Sequence, residues 1–264
     1  MRGILFDLDG VLYNAEQPIP RARETIEWVR SRRIPHLFVT NTTSRPRTAL
    51  VEKLARFGIP AEASLIHTPA TVAAAWLRSQ ERGDVALFVR ETTQADFQGL
   101  PLLPADAEQG ASHVVLGDLG EGWDYRTLNR AFRLLFHNPD ASLIALGMTR
   151  YWQAPDGISL DVAPFVAALE HATGRKAIVL GKPAKLFFLA AAERLQLAPE
   201  KVVMVGDDVN ADVGGAQAAG LKGVLVKTGK FRPPDLEGAV RPDTVLPSIA
   251  DLPNWWEHQA APVS

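Results

Sequence analysis

Two carboxylates two residues apart, Asp7 and Asp9, follow the short apolar run 4–6 near the start of the sequence. If the chain stays extended there, both side chains point into one site, where their like charges repel each other. Such a pair requires a cation or a shared proton. Gly10 permits the tight turn that would follow the pair. Taken alone, the segment is equally well explained as a polar turn after a strand.

A second group of acidic residues, Asp207, Asp208 and Asp212, follows the apolar run 202–205. Carboxylate oxygens at the end of a strand suit a hard cation, and the sequence favours Mg²⁺. The alternative is that one polar side chain of this group, Asp208 or Asn210, caps the helix that follows.

Residues suited to binding phosphate lie between the two acidic groups. Thr40 ends the run 36–40 and Asn41 follows it, and the two offer a hydroxyl, an amide and backbone N–H groups to phosphate oxygens. Lys182 stands between a predicted strand and a predicted helix, where a lysine can neutralise an anion. Taken alone, the first of these features is more simply explained as a polar loop and the second as a solvated lysine. The two acidic groups, the Thr40–Asn41 pair and Lys182 make four groups, and together they are far more specific than any one of them.

The surrounding sequence alternates short apolar runs with amphipathic stretches, which is typical of βαβ units around a parallel sheet. Strands are predicted at 4–6, 36–40, 65–67, 85–89, 113–116, 142–146, 177–180, 202–205, 223–226 and 244–246. Helices are predicted at 20–33, 46–57, 70–80, 125–136, 162–172, 186–195 and 212–219. All four groups fall at the carboxyl ends of predicted strands, where open parallel sheets bind ligands.

Two polar segments, 80–84 and 173–175, are the best candidates for domain boundaries. They predict an inserted α/β domain of residues 82–175 between two halves of one core, 1–81 and 176–264. The predicted fold class is therefore α/β, with a Rossmann-like parallel-sheet core and an inserted second domain.

Composition excludes several classes of protein. The chain has 264 residues and a formal net charge of -2, which excludes a strongly basic nucleic-acid-binding protein. No run of about 18 apolar residues occurs, so we expect no transmembrane helix and no membrane partner. The chain contains no cysteine, which excludes a disulfide framework, cysteine-ligated metal sites and a cysteine nucleophile. This composition fits a reducing cytosol, and we expect a cytoplasmic protein.

The order of the four groups resembles the haloacid dehalogenase-like phosphohydrolases. The motifs of that family run Asp-x-Asp, then Thr or Ser, then Lys, then Gly-Asp with further acids. The predicted insert resembles the α/β cap domain of one branch of the family. Four shorter motifs resemble the sub-branch that contains the phospholysine phosphohistidine inorganic pyrophosphate phosphatase: Val115-Leu116-Gly117-Asp118-Leu119-Gly120, Ser159-Leu160-Asp161-Val162, Val205-Gly206-Asp207-Asp208 with Asp212-Val213-Gly214-Gly215-Ala216-Gln217, and Lys227-Thr228-Gly229-Lys230-Phe231-Arg232.

The resemblance implies a Mg²⁺-dependent phosphatase that acts on a small phosphorylated metabolite, a phosphoamino acid or pyrophosphate. It assigns Asp7 as a nucleophile that forms an aspartyl-phosphate, and Asp9 as general acid and then general base. It also implies that Thr40 and Asn41 bind the phosphoryl group, while Lys182 offsets negative charge.

For the metal, the resemblance implies ligation by Asp7, Asp207 and the backbone carbonyl of Asp9. Asp208 and Asp212 would lie outside the ligands and hold water molecules or the lysine.

Within the predicted cap, we expect Tyr151 and Trp152 to line the entrance of the site and contact the substrate. The resemblance to the family implies that Asp161 lies nearby. The alternative is that the two aromatic side chains pack inside the cap or at a subunit contact. Several relatives with this cap pair through it, so the resemblance also implies a homodimer.

Two other functions remain open at this point. A phosphomutase would transfer phosphate to a sugar instead of water, and a non-catalytic binding or regulatory protein would keep the fold alone. A dehalogenase is disfavoured, because such members of the family generally lack the second carboxylate, which Asp9 supplies here.

Overall fold

The computed structural model describes residues 1–80, 83–154 and 157–260 and divides into two compact units. The first unit comprises 1–40, 47–67 and the chain from 182 onward, and the second comprises 41–46 and 68–181. The predicted insert 82–175 falls inside the second unit, which is larger than that insert. Three contacts accompany the larger extent. Arg78 of the preceding helix donates to the carbonyl of Gln98 at 3.0 Å, Ile178 pairs with Ile144 in a strand ladder, and the hydroxyl of Thr93 donates to the carbonyl of Thr43 at 2.7 Å.

The elements are numbered in chain order. The strands are β1 (Gly3–Asp7), β2 (Tyr13–Asn14), β3 (Gln17–Pro18), β4 (His36–Val39), β5 (Ile66–His67), β6 (Val85–Phe88), β7 (His113–Leu116), β8 (Ser142–Ala145), β9 (Tyr151–Ala154), β10 (Gly157–Leu160), β11 (Ile178–Val179), β12 (Val202–Gly206), β13 (Lys222–Val226) and β14 (Thr244–Leu246). The helices are α1 (Ala22–Ser31), α2 (Arg47–Arg56), α3 (Pro69–Ser79), α4 (Glu91–Gln94), α5 (Tyr125–His137), α6 (Ala163–Thr173), α7 (Lys185–Arg194), α8 (Gly215–Ala218) and α9 (Leu252–Ala260).

The first unit is built on a parallel six-stranded sheet with the order β14-β13-β12-β1-β4-β5. Every residue of β1 and β12 is buried, and both strands are almost continuously apolar, as expected of parallel strands that are covered on both faces. Phe6 on β1 contacts Phe38 on β4 with ring centroids 6.2 Å apart, and both side chains are fully buried. This apolar centre fixes the neighbouring strands in register.

The second unit contains a separate parallel sheet with the order β11-β8-β7-β6. Its core includes a stack of aromatic rings, in which Trp123 lies between Phe88 and Phe165 at centroid distances of 5.9 and 4.6 Å. The strands β9 and β10 form an antiparallel hairpin in the same unit. None of the helices in 1–80, 83–154 and 157–260 has both the length and the apolar character needed to cross a membrane.

The predicted α/β class with a parallel-sheet core is confirmed, but one helix begins earlier than predicted. The predicted helix 212–219 is a π-helical segment, Val209–Gly214, followed by α8. The cause is Asp208, whose side chain accepts N–H groups of Asn210 and Ala211 and so starts the helix at its own position. The hairpins β2–β3 and β9–β10 were not predicted, because their segments lack the continuous apolar run that marks the strands of the parallel sheets.

We predict that Phe38→Ala lowers the free energy of unfolding by about 3–5 kcal/mol, since it removes a fully buried ring from the core of the first unit. Urea unfolding followed by circular dichroism measures the change. Phe136→Ala is the matched control, because that ring is 64% exposed, and its cost should stay below about 1 kcal/mol. Equal costs for the two variants would contradict the assignment of Phe38 to the core.

Candidate active site

Three polar side chains lie at the carboxyl ends of adjacent strands in the first unit. Asp7 ends β1 and pairs with Val39, the last residue of β4, so Thr40 follows directly on the neighbouring strand. Asp207 follows Gly206, the last residue of β12 on the other side of β1. The fold therefore brings these three sequence-predicted residues to one edge of the sheet.

Lys182 joins two of the buried carboxylates. Its Nζ donates to Asp7 Oδ1 at 2.7 Å and to Asp212 Oδ1 at 2.6 Å. All three side chains are buried, with Asp212 fully inaccessible. Charge-assisted hydrogen bonds of this length fix both carboxylates in place.

The protonation states of this cluster follow from burial and from mutual attraction. Burial raises the pKa of the Asp7 carboxyl, and the ammonium of Lys182 offsets only part of that effect. Burial likewise raises the pKa of Asp212 to about 6. Burial alone would lower the pKa of Lys182, but the carboxylates of Asp212 and Asp7 outweigh it and raise that pKa instead. The lysine therefore stays positively charged at neutral pH.

Asp207 is enclosed by the backbone of two glycines. A Cβ atom on Gly10 would lie 2.0 Å from Asp207 Oδ2, and one on Gly229 would lie 2.1 Å from the same oxygen. The backbone N–H of Lys230 donates to that oxygen at 2.6 Å. The hydroxyl of Thr228 donates to the carbonyl of Gly10 and ties the two glycine segments together. The carboxylate is thus held from both sides by main chain, which only glycine allows.

The carboxylates fit the Mg²⁺ that the sequence predicts. Carboxylate oxygens of Asp7, Asp207 and Asp212 lie within 4.8 Å of one another. Asp207 Oδ1 is buried and has no hydrogen-bond partner among the described residues. Burial raises the pKa of Asp207 to about 6, although the N–H of Lys230 opposes it. A buried oxygen of this kind is costly unless a donor or a cation meets it, and carboxylates are the ligands of a hard cation.

Asp208 and Asp212 have different hydrogen-bond partners. Oδ1 of Asp208 accepts the N–H groups of Asn210 at 3.0 Å and Ala211 at 2.8 Å, which is the capping alternative stated above. Its carbonyl accepts the N–H of Val213, five residues on, and this contact closes the π-helical turn. Asp212 instead accepts the N–H of Asp208 with its other oxygen, at 3.2 Å, and so presents Oδ1 to the lysine.

Two further sequence-predicted residues, Asp9 and Thr40, lie in the first unit. Asp9 is exposed at the turn after β1, where the N–H of Gly10 donates to the carbonyl of Tyr13 at 2.7 Å. Thr40 is buried, and its N–H donates to the carbonyl of His67 at 3.1 Å. The turn that Gly10 was predicted to permit is present, with a φ of 87° at that residue.

Four other predicted residues belong to the second unit, and their part in the site stays a prediction. Asn41 follows Thr40 in the chain, and its Oδ1 would lie 3.0 Å from a Cβ atom placed on Gly181. Tyr151 and Trp152 lie on β9 and are 55% and 40% exposed, so neither is buried inside its own unit.

Asp161 follows β10 and is partly buried. Its Oδ1 accepts the N–H of Val162 at 2.7 Å. Burial raises the pKa of Asp161, and the carboxylate of Asp118 acts in the same direction. Asp118 is itself paired with Arg90 at 3.2 Å and accepts the N–H of Gly120 at 2.8 Å. The second unit thus carries a small acidic group of its own.

Sequence reasoning gave no role to Thr228, Gly229 and Lys230, which hold Asp207 and its neighbouring loop. The position of these residues in the fold could have indicated a role. They follow β13, which is the strand next to β12, so they lie at the same edge of the sheet as Asp207. A glycine at such a place indicates a close approach of main chain to another group.

Comparison with known proteins gives the class to which this fold and site belong. The profile of the family described as haloacid dehalogenase-like hydrolase matches residues 4–100, and a second profile, of hydrolases similar to these, matches 179–252. These two segments contain Asp7, Thr40, Lys182 and Asp207. The chain belongs to the haloacid dehalogenase-like hydrolases.

Individual relatives extend the match to nearly the whole chain. The haloacid dehalogenase-like hydrolase domain-containing protein 2 of Bos taurus is 40% identical over 246 residues, which cover 93% of this chain and 91% of the relative. The phospholysine phosphohistidine inorganic pyrophosphate phosphatase of Xenopus laevis is 35% identical over 89% of this chain and 86% of its own. Among solved structures, the 4-nitrophenylphosphatase of Thermotoga maritima superposes with a TM-score of 0.85 at 26% identity, covering 96% of this chain and 97% of that one.

We predict that Gly229→Ala weakens Mg²⁺ binding by about ten-fold or more, since the added Cβ atom would collide with Asp207 and displace it. Isothermal titration calorimetry with MgCl₂ measures the affinity. Gly174→Ala is the matched control, because Gly174 also has a positive φ, 70°, but no atom lies within 4 Å of the added Cβ. Unchanged affinity in Gly229→Ala would contradict a role for this glycine in holding Asp207.

The raised pKa of Asp207 predicts how the stability of the metal-free protein depends on pH. The pKa of about 6 in the folded state exceeds the ordinary value of 3.8, so the folded state binds the proton more tightly. This contribution to stability is fully present below pH 4 and is lost as the pH rises through 6. Urea unfolding with a chelator present should therefore show a smaller loss of stability between pH 4 and pH 7 in Asp207→Asn than in the wild type. An identical loss in both proteins would contradict the prediction.

Proposed function

We propose that this hydrolase is a Mg²⁺-dependent phosphatase in which Asp7 forms an aspartyl-phosphate intermediate. The observation that supports the proposal most directly is the buried cluster of Asp7, Lys182 and Asp212 beside the enclosed carboxylate of Asp207. These residue types in this arrangement supply a nucleophile, a fixed positive charge and a place for a divalent cation.

The phosphatase class itself follows from the family and its members. The relative from Xenopus laevis and the structural neighbour from Thermotoga maritima are both named as phosphatases, and both match nearly the whole chain. The chain is a phosphatase of this family. The metal, the covalent intermediate and the substrate are the parts that we propose.

In the proposed first step, a carboxylate oxygen of Asp7 attacks phosphorus and the bond from phosphorus to the leaving oxygen breaks. Lys182 holds Oδ1 of Asp7 at 2.7 Å, so the nucleophile is oriented before substrate arrives. The hydroxyl of Thr40, on the next strand, would donate to a phosphoryl oxygen. Phosphoryl transfer depends mainly on such positioning and on charge stabilisation.

Proton transfer falls to Asp9 in this proposal. Asp9 would give a proton to the leaving oxygen in the first step. It would then take a proton from the water that attacks the phosphorus of the aspartyl-phosphate, which releases phosphate and restores Asp7. Its exposure at the turn after β1 supports this role, since the side chain can meet both the substrate and the water.

Asp7, Asp207 and the backbone carbonyl of Asp9 would hold Mg²⁺. When bound, the ion supplies the positive charge that lets an anionic phosphate approach an anionic carboxylate. Asp212 would act through Lys182, which it holds at 2.6 Å, and Asp208 would act only by starting the helix that carries Asp212.

We further propose that residues 82–175 form a cap domain that selects a small phosphorylated metabolite, a phosphoamino acid or pyrophosphate. The exposed aromatic side chains of Tyr151 and Trp152 support a role in contacts outside their own unit, either with substrate or with a second cap in a homodimer. Asn41 and Asp161 would assist at the phosphoryl group and the leaving group. A cytoplasmic location stays a prediction.

We predict that phosphate release requires both Mg²⁺ and Asp7. The test is a panel of phosphate esters, phosphoramidates and pyrophosphate, assayed with Mg²⁺ and with chelator. Asp7→Asn should lower kcat by at least about 1,000-fold, because it removes the nucleophile. Thr40→Ala should cost less, about 100-fold, because it removes one hydrogen-bond donor to the phosphoryl group.

Full activity of Asp7→Asn, or release that chelator does not change, would contradict the proposal. Transfer of the phosphoryl group to a sugar in the same assay would instead identify a phosphomutase. Circular dichroism of both variants shows that a loss of activity does not come from unfolding.

A further inference from the structure

The hairpin β2–β3 follows the turn that carries Asp9, and it is too short to be stable alone. Each strand has two residues, and the ladder pairs Tyr13 with Pro18 at its base. A single two-stranded hairpin is at best marginally stable in water. Ala15, in the loop of the hairpin, has a φ of 50°, a conformation that residues other than glycine rarely adopt. Contacts with the rest of the first unit must therefore hold the hairpin in place.

The base of the hairpin is bonded to the main chain on both sides of Asp9. The N–H of Gly10 donates to the carbonyl of Tyr13 at 2.7 Å, and the N–H of Tyr13 donates to the carbonyl of Leu8 at 3.4 Å. Leu8 and Gly10 are the two neighbours of Asp9 in the chain. The position of Tyr13 therefore sets the position of the backbone of Asp9.

The ring of Tyr13 is held by α2 and by the residue that follows this helix. Tyr13 is buried, and its ring contacts the ring of Phe57 with the centroids 5.5 Å apart. The ammonium of Lys53 lies over the same ring, 4.3 Å from its centroid. An ammonium over the face of an aromatic ring is attracted to it, and the attraction is stronger where water is excluded. Lys53 and Phe57 together fix the direction of the Tyr13 side chain.

Lys53 occupies the apolar face of α2. The buried residues of this helix are Leu50, Lys53 and Leu54, and Lys53 is 6% exposed. Its Nζ lies 3.1 Å from Oε1 of Glu16, whose side chain is 66% exposed in the loop of the hairpin. A buried charge is costly unless it is paired, and these two partners, the ring of Tyr13 and the carboxylate of Glu16, both belong to the hairpin. The lysine therefore ties the hairpin to the helix at two points.

We infer that Lys53 is a positioning residue for Asp9. The inference rests on the proposed function, in which Asp9 gives a proton to the leaving oxygen. Lys53 holds the ring of Tyr13, and the main chain of Tyr13 holds the backbone of Asp9. Proton transfer requires the donor and the acceptor within hydrogen-bond reach, so a small displacement of Asp9 slows the step in which it acts.

Lys53→Met tests the inference, because methionine keeps an unbranched apolar side chain at this position and removes the charge. The measurement is kcat/KM at saturating Mg²⁺ for 4-nitrophenyl phosphate and for the alkyl phosphate that the wild-type protein hydrolyses fastest. The 4-nitrophenolate ion leaves without a proton, whereas an alkoxide requires one. We expect Lys53→Met to lower kcat/KM by about ten-fold or more for the alkyl ester and by less than about three-fold for the aryl ester.

Two further variants separate positioning from a loss of structure. Lys53→Arg keeps a cation that can lie over the ring and pair with Glu16, so it should restore kcat/KM for the alkyl ester to within about three-fold of the wild type. Arg56→Met is the matched control, because Arg56 is also on α2 and lies 3.5 Å from the other oxygen of Glu16, but its side chain is 66% exposed. It should keep kcat/KM for both esters within about two-fold. Circular dichroism shows whether each variant is folded.

Asp9→Asn is measured beside these variants, so that the inference and the proposed function can fail separately. It should show the same selective loss, and adding Lys53→Met to it should cost nothing further for the alkyl ester, because both changes act on one step. A selective loss in Asp9→Asn, with an equal loss for both esters or no loss in Lys53→Met, would overturn the inference and leave the role of Asp9 intact. An unselective effect of Asp9→Asn would refute the role of Asp9 itself, and the inference about Lys53 would fall with it.

Discussion

The ammonium group of Lys182, buried between Asp7 and Asp212, is the interaction on which the rest of the site depends. A charge that is removed from water is tolerated only when its partners are close and well aligned. The partners come from distant parts of the chain, so the parallel sheet must bring the end of β1 and the π-helical segment together at one place. The same geometry that stabilises the buried lysine also orients the carboxylate that we propose as nucleophile.

Asp207 imposes the second constraint, because its carboxylate is enclosed by main chain and only one of its oxygens is satisfied. Three buried carboxylates face a single buried ammonium, and each carboxylate has a raised pKa. The folded, metal-free site is therefore electrostatically incomplete. This imbalance is the physical reason for the divalent cation that we propose, and it also explains why glycine is required at positions 10 and 229, where any side chain would displace the Asp207 carboxylate.

The strands of the two parallel sheets and most helices were predictable because their apolar pattern is set by burial on the sheet. The meeting of Asp7, Thr40, Lys182 and Asp207 was predictable because each lies at, or within three residues of, the carboxyl end of a strand. The different contacts of Asp208 and Asp212 were not predictable from the sequence. Both residues are carboxylates near the start of one helix, and only the π-helical turn points their side chains in different directions. The role of Gly229 was also hidden, because close approach between loops depends on strand order, which local sequence patterns do not specify. For four predicted residues of the second unit, among them Tyr151, a part in the site stays a prediction, because the exposure of a side chain does not define what it contacts.

Mass spectrometry of acid-quenched protein during turnover tests the central claim most directly. The Asp9→Asn variant should be used, because loss of the general base that we propose should slow hydrolysis of the intermediate more than its formation from a substrate with a good leaving group. The account predicts one added phosphoryl group on the peptide that contains Asp7, and no such group when Asp7 is replaced by Asn. A phosphoryl group on another residue, or turnover with no phosphorylated protein at any time, would contradict the assignment of Asp7 as nucleophile.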